Sequence, residues 1–220
     1  MRRAGLRQAS YPLDWITGPT FEKRVELLLN HFSGFLELEN LQITGRNEFH
    51  ASVKDSQLGI TLVHDFEFGV PLESAFPLVK EKYNRRIARL YRDVAEKPKV
   101  LFVWFGQYSE VSPQRLLQGL ETLSGFFGKE IYLIAFQNAK DQKEPICEKL
   151  SPYLLRYVLD FQTKRHRMGD KKLFHRILRK IAFRGKWKNK LRQSLSRIML
   201  GAIPIKSLRD TRRIRSLWGR

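Results

Sequence analysis

Two uninterrupted runs of strand-forming apolar residues, KVLFVWF at 99–105 and EIYLIAF at 130–136, bracket a single amphipathic helix pattern. No other feature constrains the fold as tightly. A strand that is apolar on both sides must be covered on both faces. Between the runs, Ser112-Pro113 marks a helix start, with serine capping the free N–H groups and proline at the first helical position. QRLLQGLETLSGFF continues that helix to Gly128. Strand, helix, strand in this order is the right-handed crossover unit, which needs two parallel strands in one sheet. The expected class is therefore α/β, a mixed or largely parallel central sheet flanked by helices.

Upstream of this unit, TFEKRVELLLNHF places Phe21, Val25, Leu28 and Phe32 at helical spacing behind Thr20 as cap. FHASVKD and GITLVHDF read as two strands joined by SQLG. FPLVKEKYNRRIARLYRDVAEK sets Val79, Tyr83, Ile87, Leu90 and Val94 on one side and most of its arginines elsewhere, an amphipathic helix that Pro98 stops. PYLLRYVLDF at 152–161 is open between a strand and a short helix.

Charge divides the chain. Its 41 Lys+Arg against 22 Asp+Glu are unevenly spread, with 20 basic and two acidic residues from Phe161 to Arg220. The expected organisation is a nearly neutral domain over 1–160 and a basic, helical, amphipathic tail over 161–220. In that tail Leu173, Phe174, Ile177, Leu178 and Ile181 share one helical face, while Lys171, Lys172, Arg176, Arg179 and Lys180 surround the other. Arg184, Lys186, Lys188, Lys190 and Arg192 continue the pattern around Trp187, Leu191, Leu195 and Ile198. Such helices suit an anionic membrane surface, where each basic residue contributes about 1 kcal/mol. Nucleic acid is the second partner considered, because phosphate neutralisation needs the charges but not the apolar stripe. In a third arrangement the stripe docks on the domain itself.

Cys147 is the sole cysteine, so an intrachain disulfide and a thiolate zinc cluster are both excluded. The N-terminus lacks the apolar run of a secretory signal, and no stretch approaches the roughly 20 apolar residues of a membrane span. A cytoplasmic protein is expected, peripheral on the inner membrane face if the tail binds lipid. The phosphate loop, the dinucleotide fingerprint and the zinc-protease helix are missing, and the five histidines are not at ligand spacing. No metal and no cofactor are expected. Cys147, among Lys143, Glu144, Glu148 and Lys149, reads as a thiol filling a small apolar site.

The chemistry-bearing pair is His64-Asp65, at the end of an apolar strand in this reading. Imidazole titrates near neutral pH and can act as general base. Neighbouring strand residues point to opposite faces, so Asp65 is not automatically its orienter. Asp14, in PLDW, is the other acid that could orient His64 across the domain, whereas Trp15 reads as core.

GLRQASYPLDWITGPTFEKRVELLLNHFSGFLELENL, followed by VHDF, YNRRIARL and KVLFVWF, resembles a bacterial family described as papain-like cysteine peptidases and often associated with surface-polysaccharide genes. The similarity covers roughly residues 1–140. It implies a thiol hydrolase acting on a peptide or acyl substrate. His64 matches the family's base position, and Asp14 and Asp65 match its acidic motif positions. In that family a strand ending in Gly-x-x-Cys stands just ahead of the segment matching the start of this chain, and the nucleophile has no matching residue here. Two expectations follow: an in-frame upstream segment supplies the thiol, or the chain is a shortened, inactive paralogue. In the second case it acts as a binding module through its basic helices.

Overall fold

The computed structural model describes residues 9–106, 110–142 and 144–160 in full and 195–197 as backbone. Its elements in chain order are Ile16–Thr17 (β1), Phe21–Leu29 (α1), Leu41–Arg46 (β2), His50–Asp55 (β3), Ile60–Glu67 (β4), Leu72–Glu96 (α2), Lys99–Gly106 (β5), Pro113–Phe127 (α3), Glu130–Asn138 (β6), Ile146–Ser151 (β7), Leu154–Leu159 (β8) and Leu195–Arg197 (β9). The α/β class holds, but the strands form two sheets. One is antiparallel, in the order β1-β4-β3-β2; the other has the order β7-β8-β6-β5-β9. In the second sheet β8, β6, β5 and β9 run parallel and β7 is antiparallel to β8. PYLLRYVLDF resolves as the strand β8.

The crossover unit is the frame. β5 and β6 pair in parallel from Lys99↔Glu130 to Gly106↔Gln137, with α3 between them in sequence. Ser112 accepts the Arg115 N–H at 3.4 Å, Thr20 does the same for Lys23 at 3.2 Å, and Gly128 ends α3 at φ 62, where a side chain would be strained. The second helix starts earlier than its apolar pattern suggests. It begins at Leu72 and carries Pro77 inside, where proline's missing N–H removes one helical hydrogen bond.

One core joins the two sheets through the helices. Leu116, Leu120 and Leu123 of α3 share it with Val100, Phe102 and Trp104 of β5, with Tyr83, Leu90 and Val94 of α2, and with Leu62 and Phe66 of β4. Phe21 of α1 meets Trp104 edge-on at 5.5 Å. The approach of α1 to α3 is close enough that a Cβ on Gly119 would lie 2.5 Å from Phe21 Cε1. The alternate side chains of β5, β6 and β8 face away from this core.

Candidate functional site: an imidazole on a bulged strand

The strand that carries His64-Asp65 does not end there; β4 continues to Glu67. What is unusual at the pair is the register. Val53 pairs with Leu62 and Ala51 pairs with Phe66, so the single residue Ser52 faces Val63, His64 and Asp65. A bulge inserts residues on one strand only, and here it re-aims the side chains it carries. Leu62 and Phe66 remain in the core on either side of it. Within it, His64 is exposed.

The His64 ring stands edge-on to two others. Trp15 lies at 6.1 Å and His50, from β3, at 5.7 Å, both at interplanar angles of 89°. Trp15 is half-buried rather than core, because its ring meets the imidazole at the surface of the sheet. It is brought there by β1, which pairs Ile16 with Leu62 and Thr17 with Thr61.

The chain before β1 is held from several sides. The Asp14 carboxylate accepts the Tyr11 N–H at 2.9 Å and closes the 3₁₀ turn Pro12–Asp14. The Tyr11 hydroxyl donates to Asp93 of α2 at 2.7 Å, and Arg89 donates to the Ser10 carbonyl at 3.0 Å. Burial, and then Asp93, push the Tyr11 phenol well above its ordinary range. Beneath the segment, the buried guanidinium of Arg24 donates to the carbonyls of Pro19 at 3.2 Å, Leu13 at 3.4 Å and Ile16 at 3.4 Å. Removal from water lowers its pKa to about 10.

Asp65 turns the other way. Its carboxylate is 4% exposed, accepts the Tyr83 hydroxyl at 2.7 Å, and pairs with Lys82 at 2.7 Å and Arg86 at 3.6 Å. The Arg86 guanidinium also lies over the Tyr83 ring, 4.7 Å from its centroid. Burial is the main reason the Tyr83 phenol is pushed far up, with the Asp65 charge adding to it. One buried carboxylate thus ties the bulge to α2.

Of the sequence-derived residues, the structure gathers His64 with the segment that carries Asp14 and directs Asp65 to the opposite side. His50, Tyr83, Lys82 and Arg86 were missed. His50 reaches His64 through the pairing register, whereas the three residues on α2 lie inside YNRRIARL or just before it, where one buried acid gives arginines on an amphipathic helix a second purpose. Cys147 fills no apolar site: it is exposed on β7, paired across the strands with Tyr157. The tail cations from Lys171 to Arg192 lie outside the described residues. Among the described residues no cluster of three or more His, Cys, Asp or Glu could hold a metal ion, and no helix is long and apolar enough to cross a membrane.

Comparison with known proteins sets this geometry in a family. The chain is 23% identical over 120 residues to a protein of Acanthamoeba polyphaga mimivirus described as uncharacterized, an alignment that spans 47% of this chain and 54% of that protein. It therefore covers about half the length of that relative. No solved structure matches. Residues 1–124, which include the turn at Asp14, both sheet histidines, the bulge and α2, match the model of the family described as "Putative papain-like cysteine peptidase (DUF1796)". The chain belongs to that papain-like cysteine peptidase family.

Proposed function

We propose that the domain is built for thiol-dependent acyl chemistry on a peptide or acyl substrate, with His64 as its acid–base group. A thiol attacks as thiolate, so an imidazole within hydrogen-bond reach must take its proton and later return it to the leaving group. In this reading Asp14 positions His64 by closing the turn that carries Trp15, and Asp65 does so by fixing the bulge to α2. The supporting observation is the exposed imidazole on a two-residue bulge, flanked by Trp15 and His50, inside the family-matched residues. The one thiol, Cys147, lies outside that match and against Tyr157. We therefore expect these 220 residues to be inactive through Cys147. A cytoplasmic role in cell-envelope polysaccharide assembly is the setting favoured by the resemblance noted above.

The test is turnover of a fluorogenic peptide and a thioester by this chain, and by the chain extended through any in-frame sequence preceding Met1. The chain itself should match its Cys147→Ser variant. The extended chain should lose at least about 100-fold on His64→Ala. Turnover indifferent to His64 contradicts the proposal.

A second reading rests on the 20 basic residues against two acidic ones from Phe161 onward. It is a non-catalytic protein held by charge at an anionic surface, a membrane before nucleic acid. Flotation should recover it with vesicles containing acidic lipid and not with neutral ones; equal recovery with both contradicts this.

A further inference from the structure

The far side of the parallel sheet is apolar, in register and buried, yet it stands apart from the core built by α1, α2 and α3. Val103, Ile134 and Leu155 form one row across β5, β6 and β8; Phe105, Phe136 and Tyr157 form the next. The first row is 2%, 0% and 1% exposed. In the second, the rings stack at 5.0 and 5.4 Å, and Cys147 of β7 stands at its end. None of these residues belongs to the core cluster that holds Phe102, Leu133 and Leu154 on the opposite side.

Strand order and direction point to a candidate cover. From β5 to β6 the chain moves toward β7, and its crossover helix α3 lies on the core side. From β8 to β9 it moves in the opposite direction, past β6 and β5, and again ends parallel. Two right-handed crossovers that step in opposite directions lie on opposite faces of a sheet. A right-handed connection from β8 to β9 would therefore cross the face bearing the two rows. It consists of residues 161–194. β8 ends level with Asn138 and β9 begins level with Lys99, so the return runs about eight residues, or about 26 Å, which about 17 helical residues would cover. The segment is long enough, and Leu173, Phe174, Ile177, Leu178 and Ile181 give it one apolar face of the matching character.

We infer that the stripe Leu173–Ile181 packs on the Val103–Ile134–Leu155 and Phe105–Phe136–Tyr157 rows as the second helical layer of the sheet, leaving Lys172, Arg176 and Arg179 to face outward. The apolar side of the tail is then committed to its own domain. An anionic partner meets charge alone, in a partly neutralising, salt-sensitive contact.

The test is photo-crosslinking in the full chain, with benzoylphenylalanine replacing Ile177 in one version and Arg179 in another. Position 177 should link within the same chain to peptides spanning 131–136 or 154–159, and position 179 should not. Links from 177 to a second chain or only to lipid, or equal links from both positions, would overturn the inference. As a separate measurement, Ile177→Asp should lower the melting temperature and raise apolar-dye fluorescence several-fold, while Arg179→Glu leaves both unchanged. An Ile177→Asp protein that melts like the wild type and merely loses vesicle binding would equally overturn it.

Discussion

His64 and Asp65 are adjacent in sequence and opposite in role, and substitution should separate them. His64 is exposed and carries no buried partner, so His64→Ala should change the unfolding free energy by no more than about 0.5 kcal/mol. Asp65→Ala leaves Arg86 and Lys82 without their shared carboxylate and the Tyr83 hydroxyl without its acceptor, and should cost about 3–5 kcal/mol. Urea denaturation of the two variants measures both. Equal losses would mean that His64 is structural, against the assignment of a working imidazole. The pair itself was legible in the sequence, as was the alternation that sends its members to opposite faces. The destination of Asp65 was not, because its partners lie on a helix whose Tyr83 is 18 residues away, and no local pattern says which acid an arginine-rich helix will bury. His50 was hidden for a related reason: its meeting with His64 depends on a register that two extra residues alter.

At the scale of elements, the capped helix ends were the most legible feature, since Thr20, Ser112 and Gly128 act through backbone groups a few residues away. The start of α2 behind Pro71, by contrast, has no side-chain cap and was missed. Strands β2 and β7 were not legible. Both are edge strands with mostly exposed or half-exposed side chains, held by backbone pairing, so no apolar period marks them. Packing between elements yields two predictions. Gly119→Ala ought to gain helix propensity, yet its Cβ would meet Phe21 at 2.5 Å in a filled core, so a net loss of about 1–3 kcal/mol is expected in thermal or urea unfolding. Lys99 and Glu130, neighbours across β5 and β6, form a half-exposed ion pair at 2.6 Å. Burial is the largest single influence and would raise Glu130, but the hydrogen bond and charge of Lys99, with the Tyr132 and Tyr153 hydroxyls, together outweigh it and the carboxyl titrates below its ordinary value. A lowered acid contributes stability above its unfolded pKa and loses it as pH falls through the folded one. Lys99, raised chiefly by its bond to Glu130, contributes below its own unfolded pKa and so is charged throughout that acid range. Glu130→Gln should therefore cost no more than about 1 kcal/mol at neutral pH, because solvent screens the pair, and the difference should vanish on acidification through the carboxylate range. A cost that persists in acid would assign the loss to packing instead.

Across the whole molecule, α/β class was legible from two doubly apolar strands and the helix between them, but the division into two sheets was not, because which strands pair is a long-range choice. That division separates the functions assigned here. The antiparallel sheet presents an imidazole to solvent on a bulge anchored to α2, and the second sheet carries a buried apolar face that we assign to the chain's own basic segment. Hydroxyl-radical footprinting of the full chain, at a concentration where it is monomeric, reads both at once. The account predicts rapid oxidation of His64, comparable with exposed Leu78 and Phe49, alongside protection of Ile134, Phe136, Leu155 and Tyr157. Protection of His64, or oxidation of those four at the rate of Leu78, would contradict it.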